Sequence, residues 1–200
     1  MIYETIVSTL DAAGRPNFAP MGIGLEEGRI LLKPFRTAVT WRNLQDVGEG
    51  VVNFTDNVLL FARCALASEV PPHRPATTVR GVVLLDVCHW KEFAVASSDL
   101  TKERAEFHAR VVSDGRQRDF LAFNRAQHAV VETTILVTRL HLLGREAVLA
   151  EIARLKPLVD KTGGEREREA LAFVTAAAEA WVPAAEAAVP LARAAAERAS

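Results

Sequence analysis

The stretch KPFRTAVTWRN, Lys33 to Asn43, carries the residue types best suited to chemistry in this chain. It passes from the end of a strand-like run into the start of a helix-like one. Free N–H groups at a helix start, the helix dipole, the hydroxyls of Thr37 and Thr40 and the guanidinium of Arg36 would together hold an anion. A phosphate monoester suits such a site best. An ordinary strand-to-helix turn with exposed basic residues accounts for the same letters, so the spacing leaves both readings open. In APMGIG, Ala19 to Gly24, two glycines interrupt a strand pattern. Glycine weakens a strand unless something needs close access to its backbone. A flat aromatic ring lying on the strand is one such need, and a β-bulge is the alternative.

A third feature lies in the long helical pattern from Phe123 to Leu143. Phe123, Ala126, Ala129, Val130, Leu136, Val137 and Leu140 form one apolar arc. The opposite stripe holds Asn124, His128, Glu132 and Arg139, but also Val131, Ile135 and Leu142. So many aliphatics predict a helix covered on both sides, with His128 and Glu132, one turn apart, needing partners. A hydrogen-bond network at a subunit interface explains that pair more simply than catalysis. Other chemistries find no motif. The five histidines form no HxxxH or HExxH, and Cys64 and Cys88 have no metal-ligand spacing. GxSxG, GxGxxG after a strand and the Walker loop are absent, and KTGG at Lys161 to Gly164 reads as a helix cap.

These residues need elements to position them. Ile2–Leu10, Asn17–Leu25 and Arg29–Phe35 read as strands joined by turns at Asp11–Asn17 and Glu26–Gly28. A short helix follows, starting near Thr37 or Thr40 and ended by Gly48 and Gly50. Val51–Thr55 is a further strand, and Asp56 or Asn57 can cap a helix over Val58–Ala67. Ser68–Ala76, rich in proline, reads as an exposed loop. Two strands are expected within Thr78–Ser97, and another from Arg104 that stops in a turn at Asp114-Gly115. From Phe120 the period is helical: one helix to a Gly144 cap, a second to Gly163-Gly164, a third up to Pro183, then an alanine-rich tail. The fold class is α+β, a small antiparallel barrel followed by a helical portion. The divisions are barrel 1–120, helices 121–182 packing on the barrel and a partner, and tail 183–200.

Composition bounds the function. A formal net charge of -1 gives no overall field for nucleic acid or an anionic membrane, while leaving room for a local basic patch. The opening MIYETIVSTL lacks the basic and apolar regions of a signal peptide, and no run approaches a bilayer span. The chain reads as cytoplasmic, with neither nucleic acid nor membrane as partner.

With these segments placed, residues 1 to 175 resemble a family of FMN-binding split-barrel proteins of unknown function found in archaea and methylotrophic bacteria. The resemblance rests on MIYETIVSTLDAAGRPNFAPMGIG, LLKPFRTAVTWRNL, VVNFTDNVLLFARCAL, FNRAQHAVVETTILVTRLHLL and DKTGGEREREAL, in that order. The wider superfamily holds flavin reductases and pyridoxamine-phosphate oxidase-like enzymes. It implies a six-stranded split barrel working as a homodimer, with FMN in the dimer groove and its phosphate at a strand-to-helix turn. Carried over, APMGIG with Pro20, Met21 and Gly22 faces the isoalloxazine. Phe35, Arg36, Thr37, Thr40 and Asn43 surround the phosphate end, and Lys33 and Asn53 complete the set. Relatives tend to place a serine and a basic residue just before the threonine equivalent to Thr40. Here those positions are Ala38 and Val39, so Arg36 or Arg42 must supply the charge. The resemblance implies an FMN-dependent oxidoreductase; a flavin carrier or sensor, and an interaction protein without cofactor, are the alternatives. No catalytic acid or base is assigned.

Overall fold

The structure is a computed structural model that describes residues 1–67, 69–102 and 104–183. Its strands follow the alternation of the first half of the chain. β1 (Ile2–Leu10), β2 (Pro16–Glu26), β3 (Arg29–Leu32), β4 (Glu49–Phe54), β7 (His89–Asp99) and β8 (Glu106–Arg116) close a barrel in the order β1-β2-β3-β8-β7-β4. Every neighbouring pair is antiparallel. Because side chains alternate across a strand, each strand sends one set inward and one outward. Inside lie Val7, Ile23, Ile30, Leu32, Val52, Phe93 and Phe107, joined by Leu44. Outside, Ile6, Val51, Phe61, Val83, Leu84 and Val87 form a second core, under α2 (Val58–Leu66) and a small hairpin. That hairpin is β5 (His73–Pro75) with β6 (Val82–Leu84).

α1 (Val39–Asp46) sits between β3 and β4. The C-terminal helices are α3 (Arg125–Val137), α4 (Leu140–Leu143), α5 (Arg145–Thr162) and α6 (Glu165–Ala180). They share a third core with α2, built on Val58, Ala62, Val130, Ile152, Val159 and Val174. Asn57 caps α2 by accepting from the Leu60 N–H at 3.0 Å, and Asn124 caps α3 by accepting from Ala126 and Gln127. Gly144, at φ 80°, ends α4, and Glu167 reaches back to the Gly164 N–H at the start of α6. Among the described residues no helix is long and apolar enough to cross a membrane.

Several expectations are corrected. The proline-rich Ser68–Ala76 stretch contains β5, an edge strand, where proline is tolerated. Asp114-Gly115 makes no turn: β8 runs through it, paired with Lys91 and Trp90. A Cβ on Gly115 would lie 2.3 Å from the Trp90 ring, so the glycine makes room for the indole. Gly50 does not follow a helix end but lies inside β4, where a Cβ would meet the Ser8 carbonyl at 2.7 Å. The single Phe123–Leu143 helix is broken after Val137. Thr133, Thr134 and Thr138 all bond back to carbonyls of the preceding turn, which bends and weakens a helix. Phe123 precedes the helix and is exposed, as are His128, Glu132 and Leu142. The chain itself therefore does not cover that outer face. Val131 and Ile135, counted on it from the sequence, are half-buried: Val131 packs on two cores and Ile135 lines a cavity. The tail from Ala184 lies outside the described residues.

Candidate functional site

α1 starts without help from any side chain. Its N-cap is Ala38, in extended conformation and with no side-chain acceptor to cap the helix. The first helical N–H to find a backbone acceptor is that of Trp41, 3.2 Å from the Ala38 carbonyl. Such a start leaves donors and the positive end of the helix dipole for an outside acceptor. The helix is nonetheless fixed on the barrel. Asn17 of β2 donates to Thr40 Oγ1 at 3.0 Å, and buried Asn43 donates to Thr9 Oγ1 of β1 at 2.9 Å.

Beside this start lies a cavity of about 300 Å³ between β1, β2, α1, α2 and α3. Asn17, Phe18, Ala19 and Pro20 form one wall, and Ala38, Val39 and Thr40 form the rim. Phe61, Cys64 and Ala65 of α2 face Thr134, Ile135 and Thr138 of α3 across it. Glu4 closes one end. Burial pushes its carboxyl above the ordinary range, Arg139 pulls against that, and Glu132 adds to it. Its Oε1 lies 3.1 Å from where a Cβ on Gly22, its cross-strand partner, would stand. The register of β1 on β2 is unbroken, so the glycines mark no bulge. In this structure they make room for neighbours: Ile2 and Glu4 over Gly22, and Leu31 beside Gly24.

The sequence-derived site residues fall into separate groups. Pro20 and Thr40 line the cavity. Met21 turns into the barrel core, opposite in sense to Pro20 and Gly22. Asn43 is buried on Thr9. Asn53 is fully buried, donating to the Ile6 carbonyl and Ser8 Oγ and accepting from the Leu84 N–H, which fastens β4 to β1 and β6. Lys33 pairs with Glu106 at 2.6 Å. Phe35 and Thr37 are exposed, with the Arg104 guanidinium 4.5 Å from the Phe35 ring centre. The Arg36 guanidinium donates to the carbonyls of Leu100 and Lys102, holding the β7–β8 loop. The sequence reading missed Asn17 and Glu4. An Asn beside a Pro-containing turn and a Glu in an apolar strand are weak signals, and only strand pairing brings them to one cavity.

A second cavity of about 380 Å³ lies on the other side of α2, lined by Asn57, Arg63, Val70, Pro72 and Asp86 among others, and Cys64 borders both. Burial, with Glu69 nearby, pushes the Cys64 thiol up to about 12, so it stays protonated and unreactive. Near it, Arg118 at the end of the barrel chain binds Asp86 at 3.0 Å, Asp56, and the Cys88 sulfur at 3.3 Å. Its guanidinium holds the Asp56 carboxyl below the ordinary range.

Comparison with known proteins matches two parts of the chain. Residues 3–118 match the N-terminal domain, and residues 124–175 the remainder, of a family described as proteins of unknown function, DUF447. An FMN-bound protein of Methanosarcina mazei from that family is 27% identical, with a TM-score of 0.74 over 88% of this chain and 94% of its own. A flavoredoxin of Methanosarcina acetivorans has a TM-score of 0.52 at 12% identity, covering 60% of this chain and 72% of its own. An FMN-binding protein of Thermus thermophilus has a TM-score of 0.50 at 16% identity, covering 58% and 73%. These two share the barrel fold alone. With both of its parts matched in order, the chain belongs to the DUF447 family of proteins of unknown function.

Proposed function

We propose that the protein binds FMN in the cavity beside α1 and acts as a flavin-dependent oxidoreductase, working as a cytoplasmic homodimer. The observation that carries the reading is the uncapped start of α1 on the cavity rim, with the Thr40 hydroxyl beside it. A phosphate is what such donors suit. The FMN-bound family member, at 27% identity, supports the choice of flavin. Thr40, Asn17 and the backbone of Val39 and Thr40 would hold the phosphate, with Arg36 as the cation. Pro20, Gly22 and their neighbours would flank the ring. Lys33, Phe35, Thr37, Asn43, Asn53 and Met21 would support these contacts from the positions described above. Residues 1–120 are then the flavin-binding unit, with 121–182 packed on it and on the partner. When bound, FMN supplies the redox chemistry, while the chain binds, orients and shields it. Glu4 is the one carboxyl in the cavity lining and can hold a proton there.

Purified protein is expected to show flavin absorbance and to release FMN on denaturation; colourless protein that takes up no added FMN overturns the reading. Arg36 must exchange two carbonyls for the phosphate, so Arg36→Ala is expected at the low end of a charge-assisted bond, about a tenfold loss of FMN affinity. Thr40→Ala should cost about fivefold. Riboflavin, which lacks the phosphate, should be unaffected in both, and equal losses for the two ligands would remove Arg36 from the phosphate. Turnover with NADH or NADPH separates an oxidoreductase from a carrier or sensor. The dimer is supported by exposed Phe120, Leu121 and Phe123 just before α3 and by exposed Leu142 in α4. Sedimentation equilibrium at micromolar concentration should give twice the chain mass, and the chain mass alone would contradict it.

A further inference from the structure

On the outer wall of the barrel, β3 and β8 place Arg29 directly opposite Arg110, and both are exposed. Like charges directly opposite on a sheet face repel. Neither guanidinium makes an ion pair among the described residues. Glu26, across from Arg29 on β2, instead lies 4.0 Å from the Met1 amine, and Ala94 flanks Arg110 on β7. One step along the same face the row is Gly24, Leu31, His108 and Ser97, with little bulk on either flank. The step after that holds Lys33 and Glu106, the Glu106 carboxylate bound by Lys33 at 2.6 Å and by Lys102 at 2.5 Å. His108 lies 3.8 Å from Glu106. Rows on one face repeat every second residue, about 7 Å apart. The result is an exposed face with two unpaired guanidinium groups at one end, while at the other Lys33 and Lys102 are engaged by Glu106 and Asp99.

We propose that this face binds the diphosphate group of a small molecule, anchored by Arg29 and Arg110. Paired guanidinium groups match phosphate oxygens in geometry and charge. A second phosphoryl group would reach the His108 row. A nucleic-acid strand is less suited, because the face offers no row of aromatics for stacking and the chain as a whole is not basic. Arg29 and Arg110 do not line the cavity beside α1, so their variants test this proposal apart from the flavin reading.

The test is calorimetric titration of flavin-free protein at low salt with pyrophosphate, ADP, adenosine and orthophosphate. Pyrophosphate and ADP are expected to bind, orthophosphate at least tenfold more weakly, and adenosine not at all. Arg29→Gln and Arg110→Gln should each weaken ADP at least tenfold, with unchanged thermal melting and unchanged FMN affinity. ADP tighter than pyrophosphate identifies a nucleotide as the source, and equal affinities identify a free diphosphate. Absence of ADP and pyrophosphate binding, orthophosphate as tight as pyrophosphate, displacement of bound FMN by pyrophosphate, or affinities unchanged in both variants would overturn the proposal. So would tighter binding of a single-stranded oligonucleotide than of ADP.

Discussion

Val39→Lys is expected to tighten FMN binding by about tenfold to 150-fold while leaving riboflavin affinity unchanged. Val39 is the first residue of α1, 42% exposed, and lines the rim of the cavity. A lysine there can lie partly in solvent without entering the core. Its charge would stand at the helix start, where the backbone already favours an anion. A charge-assisted hydrogen bond contributes about 1.5–3 kcal/mol, which sets the range. Unlike Arg36, a lysine at this position would give up no carbonyl partners to reach the phosphate. Fluorescence titration with FMN and riboflavin at two salt concentrations measures the effect. The gain should shrink as salt rises, because the site is half-open. An equal gain for riboflavin would mean a change in the ring pocket, and no gain would move the phosphate away from α1.

Glu92→Ala is expected to destabilise the fold by about 3–5 kcal/mol, the scale for losing a buried carboxylate together with the charge-assisted hydrogen bonds it accepts. Glu92 is fully buried on β7, with its carboxylate on the outer side of the barrel wall. It accepts from the N–H groups of Thr77, Thr78 and Val79 at 2.9, 2.6 and 3.3 Å. These three donors lie in the loop joining β5 to β6, whose next residue, Arg80, donates its N–H to Glu49 at 2.7 Å. Removing the carboxylate takes the shared acceptor from all three, of which Thr77 and Thr78 are exposed and Val79 is half-buried, and releases the loop from β7. For a chain of this size the melting temperature should fall by about 10–15 °C. Glu92→Gln keeps an acceptor oxygen and should lose roughly half as much. Hydrogen exchange should show the amides of Thr77 to Val79 losing protection before the rest of the barrel. A melting temperature within about 2 °C of the parent would mean that water replaces the carboxylate.

Local chemistry was enough to place most of the elements. Ile2–Leu10 emerges as a strand with the bounds that alternation predicts, and Asn57 and Gly144 stop or start helices by the side-chain and φ preferences that single them out. The start of α1 just before Thr40 was also legible, because two threonines and a helix onset lie within a few residues. What failed were signals whose meaning depends on a distant partner. Asp114-Gly115 has turn chemistry, but Trp90 on the neighbouring strand occupies the space beside the glycine, so the ladder continues. His73–Pro75 has no strand pattern of its own and pairs only because Val82–Leu84 presents a free edge.

The sequence by itself determined most of the order of strands and helices and the family resemblance, since each is carried by residues close together in the chain. The tertiary structure alone decided which of those residues share a space. It engaged Arg36 with carbonyls and Lys33 with Glu106, left Thr40 on the cavity rim, and brought Glu4 and Asn17 to that cavity. It also set Arg29 against Arg110, 81 positions apart, by closing the barrel through β3 and β8. The physical reason is register: which side chains meet across a sheet is fixed by pairing between remote segments, and no local pattern records it.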